Sequence, residues 1–300
     1  MVAAGSVNPA LLGYSLPDAT LLVGVRVAEI RDTPLGRFVL SEIAGEGGEL
    51  ESFVKTTGFD PRKQIDDAVF SSAEGRWLIA ARGTFPRQAL ARVAESAGAK
   101  VEMIGQAEFV AASKEARDFP AGRPMAFALL SETEMLAGDE QSVRQALERR
   151  TAVQAPQAAL AKAAGDAAGV YPVWFAARAF PQAPPGELPL SGAILKSVES
   201  ASGGLSLGTP MMFHASLKAA TPEEAGALAN VMRFVTQMAA TEGSARNAPL
   251  ASAFAGAQVS TEDRTARLAM PVTVELLRAL FAAGGTAPGA PSDAQGPELP

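Results

Sequence analysis

Three hundred residues, 48% of them hydrophobic and 19% charged, supply enough apolar surface for one large core or for two domains of ordinary size. A net charge of −6, with Lys and Arg scattered singly, speaks against nucleic acid as a partner, and no apolar run approaches the roughly 20 residues of a membrane-spanning helix. The absence of cysteine removes disulfides, thiolate nucleophiles, Fe–S clusters and zinc ribbons together.

Residues 1–15 read as a polar lead-in without a basic n-region or a long apolar h-region, so no intact signal peptide is expected. Leu16-Pro17-Asp18-Ala19 introduces a strand over 20–27. Asp32-Thr33-Pro34 then starts a helix carrying Leu35, Phe38 and Val39, which the glycines of 45–48 break. A short helix through Leu50, Phe53 and Val54 runs to Thr57-Gly58, and Phe59-Asp60-Pro61 is a turn. Residues 65–71 form a strand that Ala73-Glu74-Gly75 reverses into a second strand over 76–82. The helix that follows, 86–97, places Leu90, Val93, Ala94 and Ala97 on one face and stops at Gly98. Short strands at 101–104 and 108–112 hinge at Gly105-Gln106, 125–130 is another strand, and 135–139 is a turn or short strand. Asp139 caps a helix bearing Val143, Ala146 and Leu147.

The Ala-rich stretch 151–169, interrupted by Pro156 and Gly165, joins two halves. Beyond it, 170–178 is a strand whose Pro172 fits an edge or a strand start, and the four prolines within 180–189 make an irregular loop. Residues 194–202 and 205–217 pair as a hairpin around Gly203-Gly204. Thr221-Pro222-Glu223-Glu224 is a capping box with Pro at the first helical position. The helix beyond it carries Leu228, Val231, Val235 and Met238 on one face, widened by Met232 and Ala239, and stops at Glu242-Gly243. A short helix at 249–254, strands 257–260 and 265–272 turning at Glu262-Asp263, and a helix at 274–281 close the folded part. The Pro/Gly-rich tail 284–300 is expected to be disordered.

Strand followed by Thr, Pro and amphipathic helix occurs twice, at 76–98 and at 211–243. The expected architecture is therefore α+β, with two similar halves, 16–150 and 170–283, and a mostly antiparallel sheet with helices packed on one face.

Candidate chemistry is sparse. His214, the single histidine, would have to serve any triad or imidazole metal site, yet it lies mid-strand beside Phe213 with no carboxylate within three residues and no G-x-S-x-G elbow. It is assigned a structural role. Glu223-Glu224 is explained by capping and Glu262-Asp263 by a turn, while Asp66-Asp67 face opposite ways on a strand. A hydrolase would need two or more of Asp60, Asp66, Asp67, Glu132 and Glu134 to converge in one cleft from separate segments. Gly45-Glu46-Gly47-Gly48 and Ser202-Gly203-Gly204 match neither a P-loop nor a dinucleotide fingerprint and are read as turns. Trp77, Trp174 and Met211-Met212-Phe213 are core residues before they are a pocket, and Arg149-Arg150 suits a helix end. No catalytic residue, metal ligand or cofactor is assigned.

The segments LPDATLLVGVRVAEIRDTPLGR, TGFDPRKQIDDAVFSS, RWLIAARGTF and MLAGDEQSVRQALERR resemble uncharacterised bacterial proteins of unknown function that are predicted to be exported. That group begins with a Leu-Pro-x-Asp-Ala strand, here Leu16-Pro17-Asp18-Ala19 without the intervening residue, and carries a Gly-Phe-Asp-Pro turn, here Gly58 to Pro61. The resemblance covers about 16–150 and more loosely 170–282. It implies a place outside the cytoplasm, periplasmic or in the cell envelope, and transfers no catalytic residues. The expectation is a non-enzymatic protein that binds a protein partner or an apolar small ligand in a groove between sheet and helices. The alternative is a hydrolase with a converging carboxylate site.

Overall fold

Apolar alternation bounded by glycine and proline builds one antiparallel sheet of twelve strands in the computed structural model, which describes residues 9–44, 49–96, 98–111, 125–149, 157–178, 197–242 and 248–284. The first half contributes β1 (Leu21–Arg26), β2 (Ile65–Ala73), β3 (Arg76–Gly83), β4 (Lys100–Ile104), β5 (Ala107–Ala111), β6 (Met125–Leu129) and β7 (Glu134–Asp139). The second contributes β8 (Val173–Ala177), β9 (Val198–Ser206), β10 (Met211–Ala219), β11 (Gln258–Glu262) and β12 (Thr265–Val272). Their order is β11-β12-β10-β9-β8-β1-β2-β3-β7-β6-β5-β4. The fold is thus α+β, and the two halves share a single sheet.

The halves follow one plan outward from the β1–β8 seam. β1, β2 and β3 lie side by side, the chain crosses through helix α6 (Arg87–Ser96), and β7 returns beside β3. β8, β9 and β10 do the same, with helix α9 (Pro222–Glu242) as the crossing and β12 returning beside β10. The two strand–helix segments with a shared pattern therefore occupy corresponding places, each strand third from the seam. At the seam, Gly24 lies opposite Trp174, and a Cβ on Gly24 would stand 2.1 Å from the indole. Only glycine allows the ring to lie across the neighbouring backbone. Trp174 is buried there.

Neighbouring strand residues point to opposite faces, and both faces of β3 are covered: Ala80 and Ala81 are 2% and 3% exposed. Ala80 packs in the cluster formed with Leu11 of α1 (Pro9–Tyr14), Val143 of α7 (Glu140–Arg149) and Leu160 of α8 (Ala158–Ala168). Ala81 packs on the other face with Phe59, Phe85 and Leu90. Over the second half α9 lies on Leu217, Ala219 and Ala266, and α10 (Ala248–Ala255) with α11 (Val274–Gly284) on Phe213, Met270 and Val272, while α8 packs on the opposite face against Trp174 and Ala176 of β8. Among the described residues helices thus lie on both faces of the first half, and over β10, β11 and β12 on one.

Several local expectations hold atom by atom. The Glu224 amide donates to Thr221 Oγ1 at 3.2 Å and Glu224 Oε2 accepts from the Thr221 amide at 3.3 Å, a complete capping box. Asp139 accepts from the amide and hydroxyl of Ser142 at 3.0 and 2.8 Å and also from the Trp77 amide at 2.9 Å, which ties α7 to β3. The Glu74-Gly75 turn has φ of 46° and 74°, as a tight hairpin between twisted strands requires.

Others are corrected. Gly203-Gly204 is no turn; both residues lie inside β9 opposite Ala215 and His214. A Cβ on Gly203 would meet the His214 carbonyl oxygen at 2.0 Å, and one on Gly204 would meet the Tyr171 Cβ at 2.5 Å, so these glycines serve close approach. The chain reverses instead between Ser206 and Met211. The buried stripe of α9 is Ala225, Leu228, Ala229 and Thr236, with Val231 and Val235 only half-buried, because alanines let the helix settle close to the sheet. The lead-in contains α1, whose Leu11 is 1% exposed, and the join contains α8, whose Leu160, Ala164 and Ala168 are buried. The glycines of 45–48, the loop 180–189 and the tail beyond Gly284 lie outside the described residues.

Asp60 caps α5 (Pro61–Gln64), accepting from the Arg62 amide at 3.1 Å and its guanidinium at 2.9 Å. The Arg62 hydrogen bond holds the Asp60 carboxyl below its ordinary range against the opposing effect of burial. A lowered folded pKa contributes stability above the unfolded value and loses it as pH falls through the folded one. Asp60→Ala is therefore expected to cost about 1 kcal/mol in urea unfolding at pH 7, with the difference vanishing in acid below the folded pKa. At the seam, Gly24→Ala is expected to cost about 1–3 kcal/mol by forcing the indole aside. A loss below a few tenths would show that Trp174 does not depend on that contact.

Candidate functional site

The face of β9, β10, β12 and β11 opposite α9–α11 forms the floor of a cavity of about 690 Å³, walled by the end of α8. Its geometry follows from register. One cross-strand row runs Ser202, Ser216, Arg267, Ser260, and the next runs Gly204, His214, Ala269, Gln258. Directly paired antiparallel residues share a face, so both rows present their side chains together. The small Gly204 and Ala269 leave depth between larger neighbours.

The wall is built by the exit from α8. The amides of Val170 and Tyr171 both donate to the Ala167 carbonyl, at 3.1 and 2.8 Å, which turns the chain sharply before Pro172 and β8. Tyr171 then lies over Gly204 and stacks on His214 with ring centroids 5.3 Å apart at 23°. His214 Nε2 is 3.2 Å from Ser206 Oγ. Burial raises the Tyr171 phenol, and the positive charge of Arg267 opposes that rise. Arg267 itself reaches Glu262 at the rim, both side chains being more than half exposed. Asp166, on the α8 wall, is engaged by Lys162 at 2.7 Å.

His214 therefore has a place that its neighbours in sequence did not reveal. Phe213 points to the opposite face, stacked on Phe175 at 6.0 Å, which leaves the imidazole in the cavity. A Ser–His hydrolytic pair would also require an acid on the other ring nitrogen, and the hydrogen bonds of the described residues give His214 a serine and no carboxylate. Among the described residues there is no group of three or more His, Asp and Glu placed to hold a metal ion.

The carboxylates do not pair. Asp60 is a cap, Asp66 stands 3.8 Å from Arg31, and Glu132 is exposed in a turn. Asp67 and Glu134 come into one row across β2, β3 and β7, but Arg82 lies between them, bonded to Asp67 at 2.8 Å. Glu134 accepts from the Tyr14 hydroxyl at 3.3 Å. Trp174 is core, Met211 and Phe213 are half-buried against the cluster of Val272 and Leu276, Trp77 is half-buried, and Glu224 caps its helix. Tyr171, Arg267, Ser216, Ser260 and Gln258 have no motif that singles them out in the sequence, and Ser202 stands out there only as part of an expected turn. Their signal is the period-two polar alternation in four neighbouring strands, each copy too short to stand out alone.

No family model matches the chain, and no curated protein matches it. Among solved structures it is similar to TP0453 in several crystal forms. Form IV gives a TM-score of 0.55 at 10% identity, covering 90% of this chain and 96% of that one. Forms I and III give 0.54 and 0.55 at 11% identity, covering 91% of this chain and 97% of that one. At such identity the likeness establishes a shared overall fold.

Proposed function

We propose that the chain is a non-enzymatic binding protein of the cell envelope that receives a small ligand in the cavity between α8 and strands β9 to β12. One observation carries this reading: one face of four neighbouring strands is lined by side chains with hydrogen-bonding capacity around a cavity of about 690 Å³, within the size range of small-molecule sites. The opposite face of the same strands carries α9, α10 and α11, packed on Ala219, Ala266 and Val272. The lining joins an aromatic wall, Tyr171 on His214, to serines, a glutamine and an arginine. Such a surface selects by orientation of polar groups. A place outside the cytoplasm rests on the resemblance of residues 16–150 to proteins predicted to be exported. No helix among the described residues is long and apolar enough to cross a membrane.

The single histidine makes the test direct, because the Cε1–H signal of its ring is the chain's only one of its kind and reports from inside the cavity. Members of a small-molecule library that bind the protein are expected to shift that signal saturably. Ser202→Trp, which fills the cavity from β9, is expected to weaken them at least tenfold. Binders that leave the histidine signal unmoved, or that bind Ser202→Trp as well as the parent, would contradict the assignment.

A further inference from the structure

We infer that the cavity is selective for a carboxylate carried on a hydroxylated small molecule, with the Arg267 guanidinium receiving the carboxylate. This rests on the binding reading above and narrows it. Three observations support it.

The first is charge. The cavity lining contains one arginine and one aspartate, and Asp166 is already held by Lys162 at 2.7 Å. Arg267 pairs with Glu262 only at the exposed rim, where the two side chains are 53% and 61% exposed. Exposed pairs of this kind are weak and exchange readily. A ligand carboxylate can therefore take the guanidinium without breaking anything that holds the fold. The planar fork of arginine matches a carboxylate with two parallel hydrogen bonds, which a compact cation cannot do.

The second is register. Ser216 and Ser260 are the direct cross-strand neighbours of Arg267, on β10 and β11, and Ser202 continues the row on β9. With strands about 4.8 Å apart, those four positions span roughly 14 Å, the reach of a molecule with one or two sugar-sized rings. Each serine hydroxyl both donates and accepts, which is the complement of a ligand hydroxyl. An apolar ligand would leave these groups without partners, an outcome that polar sites penalise.

The third is shape. On β12, Ala269 stands two residues from Arg267 on the same face, between His214 and Gln258. The small side chain opens the floor beside the guanidinium, while the stacked Tyr171 and His214 rings close one side. A ring above Ala269 is thus within the compass of Arg267, Ser216, Ser260 and Gln258 together.

Glucuronate is the probe, followed by the His214 ring signal in the full chain. Glucose lacks the carboxylate, hexanoate lacks the hydroxyls, and inorganic phosphate offers a different anion. Glucuronate is expected to bind saturably and at least tenfold more tightly than any of the three. Arg267→Met is expected to lose at least tenfold for glucuronate with an unchanged melting temperature, and Arg267→Lys to recover part of that loss. The inference fails if glucose, hexanoate or phosphate matches glucuronate, if Arg267→Met binds glucuronate as the parent does, or if glucuronate does not bind. If library compounds still shift the His214 signal and Ser202→Trp abolishes that shift, the cavity remains a binding site and only the carboxylate selectivity falls. If no compound shifts it, both fail.

Discussion

The seam between β1 and β8 is the constraint on which the remaining structure depends. Trp174 stands in a cross-strand row with a glycine on each side, Gly24 on β1 and Gly204 on β9. The absence of two side chains makes room for two rings: the indole lies across Gly24, and Tyr171 lies across Gly204. One ring belongs to the buried core of the first half and the other to the wall of the cavity. The same row continues through His214, Ala269 and Gln258, so the packing that joins the halves also sets the position of the cavity floor. Burial of one tryptophan of this size is worth several kcal/mol, a large fraction of a typical domain's net stability.

The cavity arises where the two halves stop resembling each other. After β7 the chain folds α7 onto the face that also carries α1 and α8, where Val143 and Leu147 join the main core. After β12, in the corresponding position, α11 turns to the other face and packs beside α10 through Leu276 and Ala253. Among the described residues no helix replaces α7 over β10 and β12. The residues left facing outward match that difference: β3 and β7 carry Ala80 and Leu136 under α7, whereas β10 and β12 carry His214 and Arg267. Repetition supplies the scaffold, and a single change of helix placement supplies the site.

Much of the scaffold was legible in the chain because its signals are local. A capping box needs only Thr221 and Glu224, a hairpin only Glu74 and Gly75, and the cap at Asp139 only the polar residue before an apolar helical stripe. The α+β class and the two similar halves followed from the same signals. What failed was long-range. Gly203-Gly204 has the composition of a turn, and only its approach to Tyr171 and His214 makes it strand. The neighbours of His214, Tyr171 and Ser206, come from other segments and lie on the face opposite Phe213, because residues adjacent on a strand share no environment. The cavity is not legible locally because its residues come from α8, the exit from α8, β9, β10, β11 and β12, each contributing two or three. Register brings them together, and register is set by pairing partners far apart in the chain.

Amide hydrogen exchange tests the central claim most directly, that one sheet continuous through the seam carries both halves and fixes the cavity. The account predicts that the amides of β1 and β8 exchange only through global unfolding, at the free energy also reported by β3 and β10. Exchange at the seam that is faster than in the interiors of both halves would mean that the halves open independently, and would contradict it.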